Sequence, residues 1–214
     1  MLKVWGRVSS SNVQALMWCI GELSLAYERV DAGFIYGHVD TPEYLSINPN
    51  GTVPTLQDGD HPPLWETGAI VRYLATAYGP VEFWPTEPIA RAEVDKWAEW
   101  SKINIAQKFT APVFWRVVRT PPSKHDPDAI GAALKTLDKF LDVAETRLSR
   151  FPYLAGENFT LADIQFGHCL YRYFDIDINR SEHKSLRRYY EALTERQAFR
   201  DHVMVSYAEL KETD

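Results

Sequence analysis

The chain is poor in cysteine, with only Cys19 and Cys169 among 214 residues. They form neither a Cys-x-x-Cys pair nor a zinc-ligand spacing, so a dithiol centre and a structural zinc are excluded and no metal is expected. So low a count fits a reducing compartment. Basic charge is also scarce: 23 Lys and Arg stand against 29 Asp and Glu, a formal net charge of −6. Binding to a phosphate backbone would need a local basic patch. The densest cluster is only Lys184, Arg187 and Arg188, so no nucleic-acid partner is expected. No apolar run approaches the roughly 18 residues of a spanning helix, so no membrane partner is expected. Arg7 cuts short the apolar stretch near the N-terminus, which therefore does not read as a secretory leader, and a cytoplasmic location is expected. Neither a phosphate loop nor a Gly-x-Gly-x-x-Gly spacing is present, which disfavours nucleotide binding.

What is present is ordinary globular composition, 45% hydrophobic and 24% charged, in a length that suits two small domains. Leu2–Gly6 reads as a strand. Val13, Leu16, Met17, Ile20 and Leu23 then recur at helical period, and Tyr27–Asp31 reads as a second strand. This β-α-β order implies a parallel crossover. Residues 40–50 read as loop with a short irregular helix. Val53–Gln57 and Pro63–Trp65 are strands around an Asp58-Gly59-Asp60 turn, and a helix opens at Glu66 with Ile70, Val71, Leu74 and Tyr78 on one side. A proline-marked linker follows. From Ile89 onward no strand is evident. Ile130, Leu134, Leu137, Leu141, Ala144 and Leu148 form a long helical stripe between Pro121-Pro122 and Phe151-Pro152.

Three short segments carry groups suited to chemistry. The turn Arg7-Val8-Ser9-Ser10-Ser11-Asn12 precedes the first helix. Its serines suit capping, and equally an anion site in which a hydroxyl and the helix dipole lower the pKa of a bound thiol. In Asn48-Pro49-Asn50-Gly51-Thr52-Val53-Pro54-Thr55-Leu56, Pro54 fits an ordinary trans proline opening an edge strand. With a cis bond it would instead leave the Val53 backbone groups free for a peptide. In Glu66-Thr67-Gly68-Ala69-Ile70, an acid and a hydroxyl open a helix, as routine first-turn chemistry or as a grip on an amino-acid end group.

In this order and spacing the segments resemble the cytosolic glutathione transferase superfamily, similar to its bacterial members and to the serine-type theta, delta and zeta classes. Leu154-Ala155-Gly156-Glu157-Asn158-Phe159-Thr160-Leu161-Ala162-Asp163-Ile164 resembles that family's C-terminal folding motif, with Thr160 and Asp163 placed to cap a helix. The resemblance implies an α/β thioredoxin-like domain over residues 1–79 that binds glutathione. It implies an all-α domain over 86–214 that walls the electrophile site, and a homodimer. It implies glutathione as cosubstrate, with Val53, next to Pro54, on its cysteinyl part and Glu66 and Thr67 on its γ-glutamyl end. The sulfur contact falls to Ser10 first, then Asn12, then Ser11. Trp97, Trp100, Phe109, Phe114 and Trp115 concentrate early in the second half, mostly as interhelical core. Phe114 and Trp115 are expected to face a small hydrophobic electrophile, with Arg116 a candidate to meet an anionic substrate group beside the plainer reading of a surface arginine. His168, Cys169 and Cys19 are expected to be packing residues. Two other readings stand beside the transferase: a glutathione-dependent peroxide or disulfide reductase, and a non-catalytic interaction module on the same fold.

Overall fold

Short strands rich in apolar residues build the first layer. β1 (Leu2–Trp5) buries Leu2 and Val4 on alternate positions, pairs parallel with β2 (Tyr27–Val30) and antiparallel with β3 (Thr55–Asp58). β4 (Leu64–Trp65) pairs antiparallel with β3, which gives a four-stranded mixed sheet in the order β2-β1-β3-β4. In this computed structural model, which describes residues 1–214, helices α1 (Ser11–Glu22), α2 (Pro42–Ile47) and α3 (Thr67–Tyr78) accompany the sheet. The expected thioredoxin-like order of strands and helices is the one observed.

After Tyr78 the chain makes no further strand. α4 (Pro88–Ser101) is capped by Glu87, whose carboxylate accepts from the Ile89 and Ala90 amides. Its helical path continues to Val118 through π-helical turns at Lys102–Ala106 and Thr110–Trp115, separated by an α segment at Gln107–Phe109. Pro112 lies inside the second turn and lacks an amide hydrogen, which removes a rung of the helical ladder there. Such local widenings recur at functional sites. α5 (Pro127–Leu148) carries the buried stripe Leu134, Leu137, Leu141, Ala144 and Leu148. α6 (Leu161–Gly167), α7 (Leu170–Asp175), α8 (Lys184–Thr194) and α9 (Gln197–His202) complete the helical half. No helix is long and apolar enough to cross a membrane.

One apolar cluster runs through both halves. Trp18 of α1, fully buried, meets Phe199 of α9 edge-on with ring centroids 4.8 Å apart. Gly167 allows α6 to approach that ring, since a Cβ there would stand 2.8 Å from it. Thr160 and Asp163 form a capping box at the start of α6. The fully buried Asp163 carboxylate also accepts from the Leu154 amide (3.0 Å) and the Tyr189 hydroxyl (2.8 Å). His168 and both cysteines are buried, in agreement with a packing role. The His168 Nδ1 faces the Ile164 carbonyl at 3.1 Å, and a carbonyl only accepts, so Nδ1 carries the proton. Nε2 then accepts from the Cys169 thiol at 3.3 Å.

Candidate functional site

The turn between β1 and α1 exists because β1 must end where α1 begins to cover the sheet. Gly6, with φ +157°, lets the chain pass α1 closely: a Cβ there would lie 2.4 Å from a Val13 methyl. Ser10 occupies the N-cap position of α1 with extended backbone angles, yet its hydroxyl caps nothing. The first intrahelical bond runs from the Gln14 amide to the Ser10 carbonyl, 2.8 Å, which leaves the amides of Ser11, Asn12 and Val13 without intrahelical partners. An uncommitted hydroxyl therefore stands beside the positive end of a helix dipole.

Across the cleft lies the segment before β3. The fully buried Asn48 side chain donates to the Thr52 carbonyl (2.8 Å) and to the Thr55 hydroxyl oxygen (3.0 Å), and the Tyr44 hydroxyl donates to the same Thr52 carbonyl (2.6 Å). These bonds fix the backbone on either side of Val53. The Val53–Pro54 peptide is cis. Neither the amide nor the carbonyl of Val53 has a hydrogen-bond partner within the protein. An extended peptide thus has one free donor and one free acceptor to pair with.

Ser9, Ser10, Ser11, Asn12, Gly51, Thr52 and Val53 line one cleft of about 390 Å³. The helical half supplies its other wall with Thr110 and Trp115, both from the second π-helical turn, and with Arg119, Arg172 and Leu210. Of the residues expected from sequence, Ser10, Ser11, Asn12, Val53 and Trp115 are brought together here. Pro54 is buried behind them.

Glu66 and Thr67 do not line this cleft. They stand at the start of α3, where Glu66 holds a left-handed φ of +68° and its carboxylate pairs with Lys102 Nζ at 3.2 Å. Phe114 is fully buried, clasped between Phe109, Tyr207 and the Arg172 guanidinium, so it backs the wall rather than facing the cleft. Arg116 is exposed and lies outside the lining. The side chain of a helical residue covers only its own face, and the π-helical turn shifts which face Phe114 and Arg116 present.

Several lining groups lie beyond the sequence-based expectation. The Arg7 guanidinium sits over the Phe34 ring (5.3 Å), and Arg119 sits over both Phe34 (5.0 Å) and Trp115 (4.9 Å). Arg172, 3% exposed, donates to the Ser9 carbonyl at 2.5 Å. Burial lowers its pKa to about 10, so it stays charged at neutral pH. Burial and the neighbouring Arg119 likewise lower the pKa of Arg7. The Ser9 hydroxyl and the Tyr36 hydroxyl both donate to Glu209, next to Leu210 in the C-terminal segment. Arg7 belongs to the same turn as the serines expected at the site, whereas Phe34, after β2, is far in sequence from every expected residue. Arg172, Glu209 and Leu210 reach it only by long-range folding. No group of three His, Cys, Asp or Glu side chains is placed to hold a metal ion.

Comparison with known proteins agrees with this architecture. The family profile "Glutathione S-transferase, N-terminal domain" matches residues 1–76, and "Glutathione S-transferase, C-terminal domain" matches residues 127–192. The chain is 35% identical over 206 residues to glutathione S-transferase GstB of Escherichia coli strain K12, covering 96% of this chain and 99% of that protein. It is 36% identical to glutathione S-transferase 3 of Zea mays over 166 residues, 76% of this chain and 73% of the relative. Among solved structures, the theta-class glutathione S-transferase of Xanthomonas axonopodis pv. citri with glutathione bound superposes with a TM-score of 0.90 at 41% identity, covering 96% of this chain and 98% of that one. With a mixed four-stranded sheet, a helical second half and this likeness along nearly its whole length, the chain belongs to the glutathione S-transferase family.

Proposed function

We propose that the protein is a glutathione transferase that binds glutathione as its thiolate and directs it at small electrophiles. The observation that carries this reading is the uncommitted Ser10 hydroxyl at the head of α1, across the cleft from the unpaired Val53 backbone. Val53 pairs with the cysteinyl part of the tripeptide, which sets the sulfur toward the turn. Glu66 and Thr67, at the head of α3, hold the γ-glutamyl end. Residues 1–79 thus serve glutathione and residues 86–214 the electrophile, in a homodimer of the cytoplasm.

The chemistry is pKa control. A free thiol has a pKa near about 8.5 and is mostly protonated at pH 7. Ser10 donates a hydrogen bond that is stronger to a thiolate than to a thiol, and the helix end adds a favourable field. Ser11 and Asn12 stand next in line for the same contact. A drop of about two pKa units corresponds to roughly 2.7 kcal/mol of preferential stabilisation. The sulfur forms the new bond to carbon, the leaving group departs with the electron pair of the bond it loses, and the thiol proton goes to solvent. The walls hold the two reactants within reach of each other.

The test is conjugation by the purified protein of glutathione with a neutral aryl chloride such as 1-chloro-2,4-dinitrobenzene, followed by product absorbance. Turnover above the uncatalysed rate, lost without glutathione, is the expected result. Absence of turnover together with failure to bind glutathione resin contradicts the reading and favours an interaction module.

A further inference from the structure

The charge on the cleft has one sign. Arg7, Arg119 and Arg172 line it, and no Asp or Glu does, in a chain whose formal net charge is −6. None of the three has a carboxylate within ion-pair distance, whereas Arg29 pairs with Asp31, Arg72 with Asp95 and Glu99, and Arg196 with Glu22. Glu209 acts on Arg7 from beyond ion-pair distance and accepts from the hydroxyls of Ser9 and Tyr36. Arg172 is buried and Arg7 and Arg119 are half-buried, and a cation withdrawn from water without an ion-pair partner is costly. The Nε atoms of both Arg7 and Arg172 are buried without any partner.

The arrangement is also held under backbone strain. Phe34 follows Gly33 with a left-handed φ of +57°, an uncommon state for an aromatic residue. Its ring lies 5.3 Å from the Arg7 guanidinium and 5.0 Å from that of Arg119, and the Trp115 ring lies 4.9 Å from Arg119. Stacking on rings occupies the faces of a guanidinium and leaves its N–H edges free, the edges that grip a carboxylate in a bidentate way. Strain of this kind persists where the surroundings impose it, commonly at ligand sites.

Building on the transferase reading above, we infer that the second-substrate end of the cleft selects electrophiles that carry a carboxylate on a planar aromatic body, with Arg119 and Arg7 receiving the anion and the exposed Trp115 meeting the ring. Arg172, which is tied to the Ser9 carbonyl, contributes positive field from behind. Glutathione displaces a halide from such a substrate: the C–S bond forms, the carbon–halogen bond breaks, and halide leaves with the bonding pair.

The test compares two near-isosteric substrates, 4-chloro-3-nitrobenzoate and 4-chloro-3-nitrobenzamide, with the wild type and with Arg119→Ala and Arg119→Gln, each rate corrected for the uncatalysed reaction. Calorimetry measures glutathione affinity in parallel. The wild type is expected to favour the benzoate in kcat/KM. Each variant is expected to lose at least about tenfold in the benzoate-to-benzamide ratio, the scale of one charge-assisted hydrogen bond, while glutathione affinity stays within about twofold. An unchanged ratio overturns the inference. So does an equal loss on both substrates with weakened glutathione binding, which assigns Arg119 to glutathione's own carboxylates. If the wild type turns over 1-chloro-2,4-dinitrobenzene but neither of these compounds, this inference fails and the transferase reading stands; if it turns over none of the three and does not bind glutathione, both fail. Turnover of the benzamide with an unaltered ratio removes the anion selection alone.

Discussion

Arg172 and Ser9 join the two halves of the molecule at the point where the chemistry is proposed. The guanidinium donates to the Ser9 carbonyl at 2.5 Å and lies 4.6 Å from the Phe114 ring centroid. The turn that carries Ser10 is thus positioned by a residue of the helical half. Arg172→Ala leaves a buried carbonyl unpaired and a cavity beside Phe114 and Tyr207. It is expected to cost about 3 kcal/mol of stability, read as a lowered urea midpoint. An unaltered midpoint contradicts the positioning role.

Ser10→Ala removes one hydroxyl without disturbing a cap, since that hydroxyl makes no capping bond. The unfolding midpoint should therefore stay near the wild-type value. At pH 7 conjugation should fall about tenfold to a hundredfold, and the apparent pKa in the pH–rate profile should rise by about one to two units, the scale of a lost charge-assisted bond. A profile that does not move transfers the sulfur contact to Asn12 or Ser11.

Glu66 offers a test of binding separate from chemistry. Its carboxylate is more than half exposed, and its pairing with Lys102 contributes little to stability. Glu66→Ala is expected to weaken glutathione binding by about tenfold in calorimetry with no change in unfolding midpoint. Unchanged affinity contradicts the γ-glutamyl assignment.

Acid stability should report His168. Burial lowers its pKa from the ordinary 6.5 to about 4, and the neutral ring is held between the Ile164 carbonyl and the Cys169 thiol. The unfolded chain binds this proton more readily than the folded one. The group's contribution is therefore complete above pH 6.5 and is lost as pH falls toward 4, by about 3 kcal/mol across that window. Unfolding free energies measured between pH 7 and 4 should show this slope, and His168→Asn should flatten it. Equal slopes in the two proteins contradict the assignment. The Cys169 thiol, pushed up to about 12 by burial, stays protonated throughout.

Much of the first half was legible because its signals are local. Val13, Leu16, Met17 and Ile20 announce α1 by their spacing, and all four are buried. Thr160 and Asp163 announce the start of α6 in the same way. The cis form of the Val53–Pro54 bond stood only as an alternative to the trans one, because an isolated proline favours trans. The electrophile wall was harder. Phe114 and Trp115 are adjacent in sequence, and only the π-helical phase of Thr110–Trp115 decides that Phe114 is buried while Trp115 lines the cleft. The link from Ser9 to Glu209 spans nearly the whole chain, and no short-range pattern encodes it.

The most direct test of the account is a pH titration of the thiolate absorbance of glutathione bound to the wild-type protein, set against free glutathione. The account predicts a bound thiol pKa about two units below the free value of roughly 8.5, so that most of the bound sulfur is ionised at pH 7. Bound glutathione that titrates like the free tripeptide would contradict it.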